Sequence, residues 1–166
     1  MKIVTPKQMS SMETEAYKNG ASDSEFMEEA GSGIALIVQD YIERNNLDRT
    51  VILLCGKGNN GGDAYVTGIH LLHLDYEVYC IQAEPIAECS PLCRQNYERF
   101  IHEGGKQAET LNEFPDSGLI VDGLFGTGFR GAVSDPYLSL IALANHSGLP
   151  IISVDIPSGL NGETGI

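Results

Sequence analysis

The stretch Val51-Ile-Leu-Leu-Cys-Gly-Lys-Gly-Asn-Asn-Gly-Gly-Asp-Ala64 decides the fold. Val51 to Leu54 is a short apolar, β-branched run and predicts a buried strand. Gly56, Gly58, Gly61 and Gly62 break it, and a helical pattern follows Asp63. A strand, a Gly-rich turn and a helix N-terminus bring free backbone N–H groups and the positive end of the helix dipole to one point, which suits an anion. Glycine also lets the backbone approach a phosphate closely. Taken alone, the stretch leaves a tight strand-to-helix turn without a ligand as the lesser reading.

The alternation continues downstream. Helix is expected from Ala64 to about Leu74, strand over Glu77–Gln82, and helix from Ser90 to about Glu103. Strand follows at Leu119–Asp122, helix at Pro136–Ser147 and strand at Pro150–Asp155. Lys106–Ala108 adds a short strand, and 109–117 is a polar loop containing Pro115. Short apolar strands alternating with helices predict an α/β fold with a mostly parallel sheet and helices on both faces. One domain is expected: N-terminal helices over 1–48, then the core over 49–166.

Two helices are expected upstream. Thr5-Pro6 offers a hydroxyl N-cap with Pro at the first helical position. Met9, Met12 and Ala16 share a face, and the helix ends near Gly20. Ser22 and Glu25 have capping-box spacing. The second helix places Met27, Ala30, Ile34, Ile37 or Val38, and Tyr41 on one stripe. The methionines are read as core filler. Gly31 and Gly33 interrupt this helix at up to ~1 kcal/mol each, so close packing of its backbone against another element is expected.

The chain has 166 residues, 42% of them hydrophobic and 20% charged, as in a soluble globular protein. No run reaches the ~18 apolar residues of a membrane span. The start, Met1-Lys-Ile-Val-Thr-Pro, lacks a signal-peptide apolar core, so a cytoplasmic location is expected. A net charge of −13 argues against nucleic acid and anionic membrane surfaces as partners. Cys55, Cys80, Cys89 and Cys93 read as reduced structural thiols. His70 and His73, three apart, lack a third metal ligand and read as surface or satisfied side chains.

Three Gly-rich loops each follow an expected strand: Gly56–Asp63, Asp122–Gly131 and Asp155–Leu160. In open α/β sheets, ligands bind beyond the carboxyl ends of the strands. The loops supply mainly oxygen donors, namely Asn59, Asn60, Asp63, Asp122, Thr127, Asp155 and Ser158. With loop carbonyls these suit a hard cation, and the absence of His and Cys argues against zinc. Gly126-Thr-Gly-Phe-Arg-Gly131 could wrap phosphates, with Arg130 as a bidentate partner. Asp155, before Ile156-Pro157, is the candidate general acid/base; an Asx-type turn cap is the other reading. A P-loop is excluded, because GxxxxGK[ST] is missing. Gly56-Lys-Gly-Asn-Asn-Gly61 matches GxGxxG, but the strand-end acid about 20 residues on is absent from Tyr79-Cys-Ile-Gln-Ala. Ordinary hydride transfer with intact NAD is therefore the weaker reading.

Asn59-Asn-Gly-Gly-Asp63, Val121-Asp-Gly-Leu-Phe-Gly-Thr-Gly128 and Val154-Asp-Ile-Pro-Ser-Gly159 together resemble the NAD(P)H-hydrate epimerases, the YjeF N-terminal-domain family. Phe26-Met-Glu-Glu-Ala-Gly31 resembles the family's Leu-Met-Glu-Asn-Ala-Gly signature. The resemblance implies a Rossmann-like three-layer αβα sandwich that interconverts the R and S forms of hydrated NADH and NADPH (NADHX and NADPHX). It implies potassium (K+) at Asn60, Asp122 and Ser158. It implies substrate binding by Asn59, Asn60, Gly61, Gly62 and Asp63, by Gly126, Thr127, Gly128, Phe129, Arg130, Gly131 and Ala132, and by Asp155. Dimers are common in the family, so a homodimer is an option here. Ala64 and Glu29 depart from the family's usual Gly and Asn, and the family's domain normally continues past Ile166. The alternative of another class is a non-catalytic binding or scaffold module. Retention of Asp63, Asp122, Asp155 and Ser158 favours the enzyme.

Overall fold

The computed structural model describes residues 6–108, 117–162 and 164–165; of the polar loop expected at 109–117, all but Ser117 lies outside the described residues. Two helices, α1 (Pro6–Lys18) and α2 (Asp23–Asn45), precede the sheet. The core then runs β1 (Thr50–Cys55), α3 (Asn59–Leu72), β2 (Glu77–Gln82), a 3-10 turn at Ile86–Glu88, α4 (Pro91–His102), β3 (Lys106–Gln107), β4 (Leu119–Gly123), α5 (Tyr137–His146) and β5 (Ile151–Ser153). The five strands form one sheet in the order β3-β2-β1-β4-β5, with every neighbouring pair parallel. Among the described residues, no helix is long and apolar enough to cross a membrane.

The layers follow from strand alternation. All six residues of β1 are buried, because the strand is covered on both faces. Val51, Leu53 and Cys55 pack with Val38 and Ile42 of α2, Tyr65 and Ile69 of α3, and Phe100 of α4. Ile52 and Leu54 pack instead with Tyr137, Leu140 and Ala144 of α5. One face of the sheet thus carries three helices and the other carries α5.

Helix α2 opens on the expected capping box: Glu25 N–H donates to Ser22 Oγ at 3.2 Å, and Ser22 N–H donates to Glu25 Oε2 at 2.9 Å. Its buried stripe is Met27, Gly31, Ala35, Val38 and Ile42. Of the expected stripe Met27, Ala30, Ile34, Ile37 or Val38, and Tyr41, Met27 and Val38 are buried, whereas Ile37 is 58% and Tyr41 38% exposed, so the stripe is rotated. The cause is Gly31: a Cβ there would lie 2.5 Å from Val66 Cγ1 of α3, so the smallest residue, not the largest, marks the contact line. Gly33 meets nothing within 4 Å and plays no such part. Met27 is core, whereas Met12 is 57% exposed.

Two boundaries move. Helix α3 begins at Asn59, not Ala64, so Asn59 to Asp63 form its first turns. Strand β5 stops at Ser153, so Asp155 does not end a strand. Val154 N–H still donates to the Asp122 carbonyl at 3.0 Å, and the chain then bends ahead of Pro157, which cannot continue a ladder.

Phe100 is fully buried under Tyr65, their ring centroids 5.7 Å apart. Gly68 makes room for it, since a Cβ there would sit 2.8 Å from Phe100 Cε2. Phe100→Ala is expected to cost about 3–5 kcal/mol by cavity formation, read as a fall in the urea midpoint at unchanged slope.

Candidate active site

The three Gly-rich loops leave β1, β4 and β5, so all lie at the carboxyl end of one parallel sheet. From β1 the chain passes to β2 on one side, while β4 returns on the other. The crevice between the exits of β1 and β4 is therefore the topological switch point, where open α/β sheets bind ligands.

Only Gly56, Lys57 and Gly58 separate β1 from α3. Gly58 is the extended N-cap residue and supplies no side-chain cap, so no capping side chain occupies the first-turn N–H groups. Gly56 and Gly61 serve the protein's contact with itself. Gly56 N–H donates to the Gly123 carbonyl at 3.1 Å. A Cβ on Gly56 would run into the Leu124 carbonyl oxygen, and one on Gly61 into the Gly56 carbonyl oxygen. Gly62 packs on Met27, whose sulfur would be 2.6 Å from an added Cβ. These glycines let three chain segments touch, a different reason from close approach to a phosphate.

The second loop is clamped at Phe125. Asn60 Nδ2 donates to its carbonyl at 2.9 Å, and its N–H donates to Ser158 Oγ at 3.0 Å. Buried Asp122 ties the third loop to the same point. Its Oδ1 accepts from Leu124 N–H at 3.2 Å and Ser158 Oγ at 2.6 Å. Its Oδ2 accepts from Ser158 N–H at 2.8 Å and Ser153 Oγ at 3.3 Å. Exposed Asp155 reaches the neighbouring peptide, accepting through Oδ2 from Thr127 N–H at 2.6 Å. A Cβ on Gly126 would be 2.9 Å from Asp155 Oδ2 and 3.3 Å from Asn60 Oδ1. Asn60, Asp122, Ser158 and Asp155, from three loops, thus converge on residues 124–127.

Other expected site residues spread outward. Asn59, Gly128, Arg130, Gly131 and Ala132 are exposed on the rim, and Thr127 and Phe129 are half-buried. Half-buried Asp63 lies in the first turns of α3, its carbonyl accepting from Thr67 Oγ1 at 2.8 Å. Arg130 Nη1 donates to the Thr127 and Phe129 carbonyls at 2.7 and 2.8 Å, shaping its own loop. Phe129 stacks on Phe125 at 4.3 Å, and Phe125 lies 4.4 Å from the Tyr137 ring, so an aromatic row lines the crevice on the α5 side. The spacing of Phe125 and Phe129 carried a signal of this row; Tyr137 carried none.

Beneath the first loop, Gln82 Nε2 donates to the Gly56 carbonyl at 3.4 Å, and Cys93 Sγ donates to the same oxygen at 3.5 Å. The Tyr65 hydroxyl donates to Gln82 Oε1. Burial pushes the Cys80 and Cys93 thiols up to about 12, so both are protonated structural groups. All four cysteines are free.

Among the described residues, no three His, Cys, Asp or Glu side chains gather as a metal-binding group. What the crevice offers is amide, hydroxyl and carbonyl oxygen around one buried carboxylate, which fits a hard cation of low charge. With its nitrogen engaged by Phe125, Asn60 presents Oδ1 towards Gly126. The Asp122 carboxylate already accepts four donors, about its full lone-pair capacity. It would join an ion by yielding its longest bond, the one from Ser153 Oγ.

A parallel sheet ordered 3-2-1-4-5 with a helix starting on a Gly-rich turn and an oxygen-lined switch point defines a Rossmann-like α/β protein. The chain belongs to the family described as YjeF-related protein N-terminus, whose profile matches residues 23–166. It is 34% identical over 174 residues to an NAD(P)H-hydrate epimerase of Elusimicrobium minutum, covering 99% of this chain and 79% of that one. It is 32% identical to a bifunctional NAD(P)H-hydrate repair enzyme of Thermofilum pendens, but spans only 33% of that protein. The crystal structure of a yeast protein, ynu0, shares the fold: TM-score 0.79 at 23% identity, covering 97% of this chain and 72% of that one.

Proposed function

We propose that this chain is an NAD(P)H-hydrate epimerase, interconverting the R and S hydrates of NADH and NADPH. The observation that carries this reading is the meeting of Asn60, Asp122, Ser158 and Asp155 around residues 124–127. A proton-transferring carboxylate there stands beside oxygen donors and uncapped helix N–H groups, as needed by an anionic dinucleotide with a reactive ring. Asn59 to Asp63 and Gly126 to Ala132 form the two walls that bind substrate.

The hydrated carbon is bonded to the ring nitrogen, so its configuration inverts by reversible loss and return of hydroxyl, or by reversible ring opening. Either route needs a proton delivered to an oxygen or nitrogen and then recovered, and we assign both steps to Asp155. In the loss-and-return route, its carboxylic acid protonates the leaving hydroxyl, which departs as water. The ring-nitrogen lone pair stabilises the carbon cation. Water then adds to the other face, and its proton returns to the carboxylate. Thr127 N–H holds Asp155 in place. Asn60, Asp122 and Ser158 would hold K+, which when bound would supply a fixed positive charge for the anionic substrate.

The purified chain is expected to bring R-NADPHX to its R/S equilibrium much faster than buffer, followed by chromatography. Exchanging K+ for tetramethylammonium at constant ionic strength is expected to slow the reaction by at least about tenfold, the loss of one charge interaction. A folded sample with no acceleration sinks the epimerase reading. Unchanged rate after the exchange sinks only the potassium site.

A further inference from the structure

The acid that a dinucleotide fold keeps at the end of its second strand is present after all, two residues beyond β2. Ala83 N–H donates to the Cys55 carbonyl at 3.0 Å, closing the β1–β2 ladder at its last pair, Cys55 and Gln82. Glu84 follows and pairs with Lys57 of the first Gly-rich loop, Oε1 to Nζ 3.6 Å. The backbone around the pair is fixed. Cys55, Gly56 and Lys57 carbonyls accept in turn from Ala83 N–H, the Gln82 amide and Ser90 N–H at 3.0, 3.4 and 2.8 Å. Glu84 is 21% exposed and Lys57 53%, so the carboxylate is recessed and the ammonium lies further into solvent. Tyr137, at the end of the aromatic row, senses Glu84: burial and then the Glu84 charge push its hydroxyl up to about 12.

Position says what this pair faces. In a sheet ordered 3-2-1-4-5, a dinucleotide crosses the switch point with its pyrophosphate on the helix after β1 and its adenosine ribose over the end of β2. Here Asp122, Asp155 and Ser158 lie on the β4 and β5 side. The nicotinamide half therefore lies there, and the adenosine half lies over β2. An acid at that place accepts from ribose hydroxyls and repels a 2′-phosphate, whereas a cation favours the phosphate.

We propose that Glu84, backed by Lys57, reads the adenosine ribose and makes this chain prefer NADHX to NADPHX, an inference resting on the epimerase reading above. The recessed carboxylate sets the preference, and the more exposed Lys57 moderates it.

The test measures kcat/KM for R-NADHX and R-NADPHX, and Kd for both by equilibrium dialysis, in the wild type and two variants. The wild type is expected to favour NADHX about tenfold, and Glu84→Gln to bring the ratio to about one, mainly through KM and Kd. Lys57→Met is expected to raise the ratio, since it removes the cation and leaves Glu84 unopposed. A wild type without preference, or a folded Glu84→Gln with the wild-type ratio, overturns the inference while turnover leaves the epimerase reading intact. Loss of preference in Lys57→Met also overturns it. Failure to bind or turn over either hydrate overturns both readings. Binding with the expected Kd ratios but without turnover overturns the epimerase reading and supports Glu84 as the ribose reader.

Discussion

Asp155→Asn is expected to lower the rate of hydrate interconversion by about 10²–10⁴, the usual contribution of a positioned acid/base. The substitution separates two roles that alanine would merge. Asparagine keeps an oxygen that can accept from Thr127 N–H, now at 2.6 Å from the carboxylate, but cannot exchange a proton near neutral pH. Loop position should therefore persist while chemistry fails. Asp155 is exposed, and little packing depends on it, so the melting temperature should change by no more than a few degrees. The kinetic signature is a fall in kcat with KM nearly constant. If the variant keeps more than a tenth of the wild-type kcat, Asp155 serves only as an acceptor for the second loop, and the proton carrier lies elsewhere.

Gly56→Ala is expected to be a strongly damaging single-methyl change in the crevice. The added carbon would meet the Leu124 carbonyl oxygen, which is backbone and cannot rotate away. Gly56 is held from two further sides, by its N–H bond to Gly123 and by the Gln82 and Cys93 bonds to its carbonyl. Relief requires the exits of β1 and β4 to separate, which also pulls Asn60 from Phe125. A cost of about 3 kcal/mol, the upper end of overpacking, is expected, or about 6–12 °C in melting temperature for a chain of this size. Activity in the remaining folded protein should fall as well. Gly58→Ala is the stability control. An added Cβ there meets nothing within 4 Å, so only the weaker N-capping of alanine is lost, about 1 kcal/mol. Equal stability of the two variants would show that the loops do not need their close contact.

The strand and helix order was legible in the sequence because it rests on local signals. The Ser22–Glu25 box spans three residues, and both of its bonds form. The apolar runs that make β1, β2 and β4 announce themselves within six residues each. Boundaries were less legible where a loop pattern and a helix turn overlap. Asn59-Asn-Gly-Gly-Asp63 looks like a loop because Gly and Asn disfavour helix, yet it is helical, held by tertiary contacts of Gly61 and Gly62. The same override moved the buried stripe of α2 onto Gly31.

The sequence by itself determined that three Gly-rich, oxygen-bearing loops share one edge of a parallel sheet, since chain direction alone puts every strand-to-helix turn there. The tertiary structure decided what each residue in those loops touches. Asp122 meets Ser158, Asn60 meets Phe125, Asp155 meets Thr127, and Lys57 meets Glu84. Each pair joins positions far apart in the chain, and hydrogen bonds and charge pairs operate only within a few ångströms. Spacing along the sequence fixes the direction in which a loop leaves its strand, and only the packing of the layers fixes those distances.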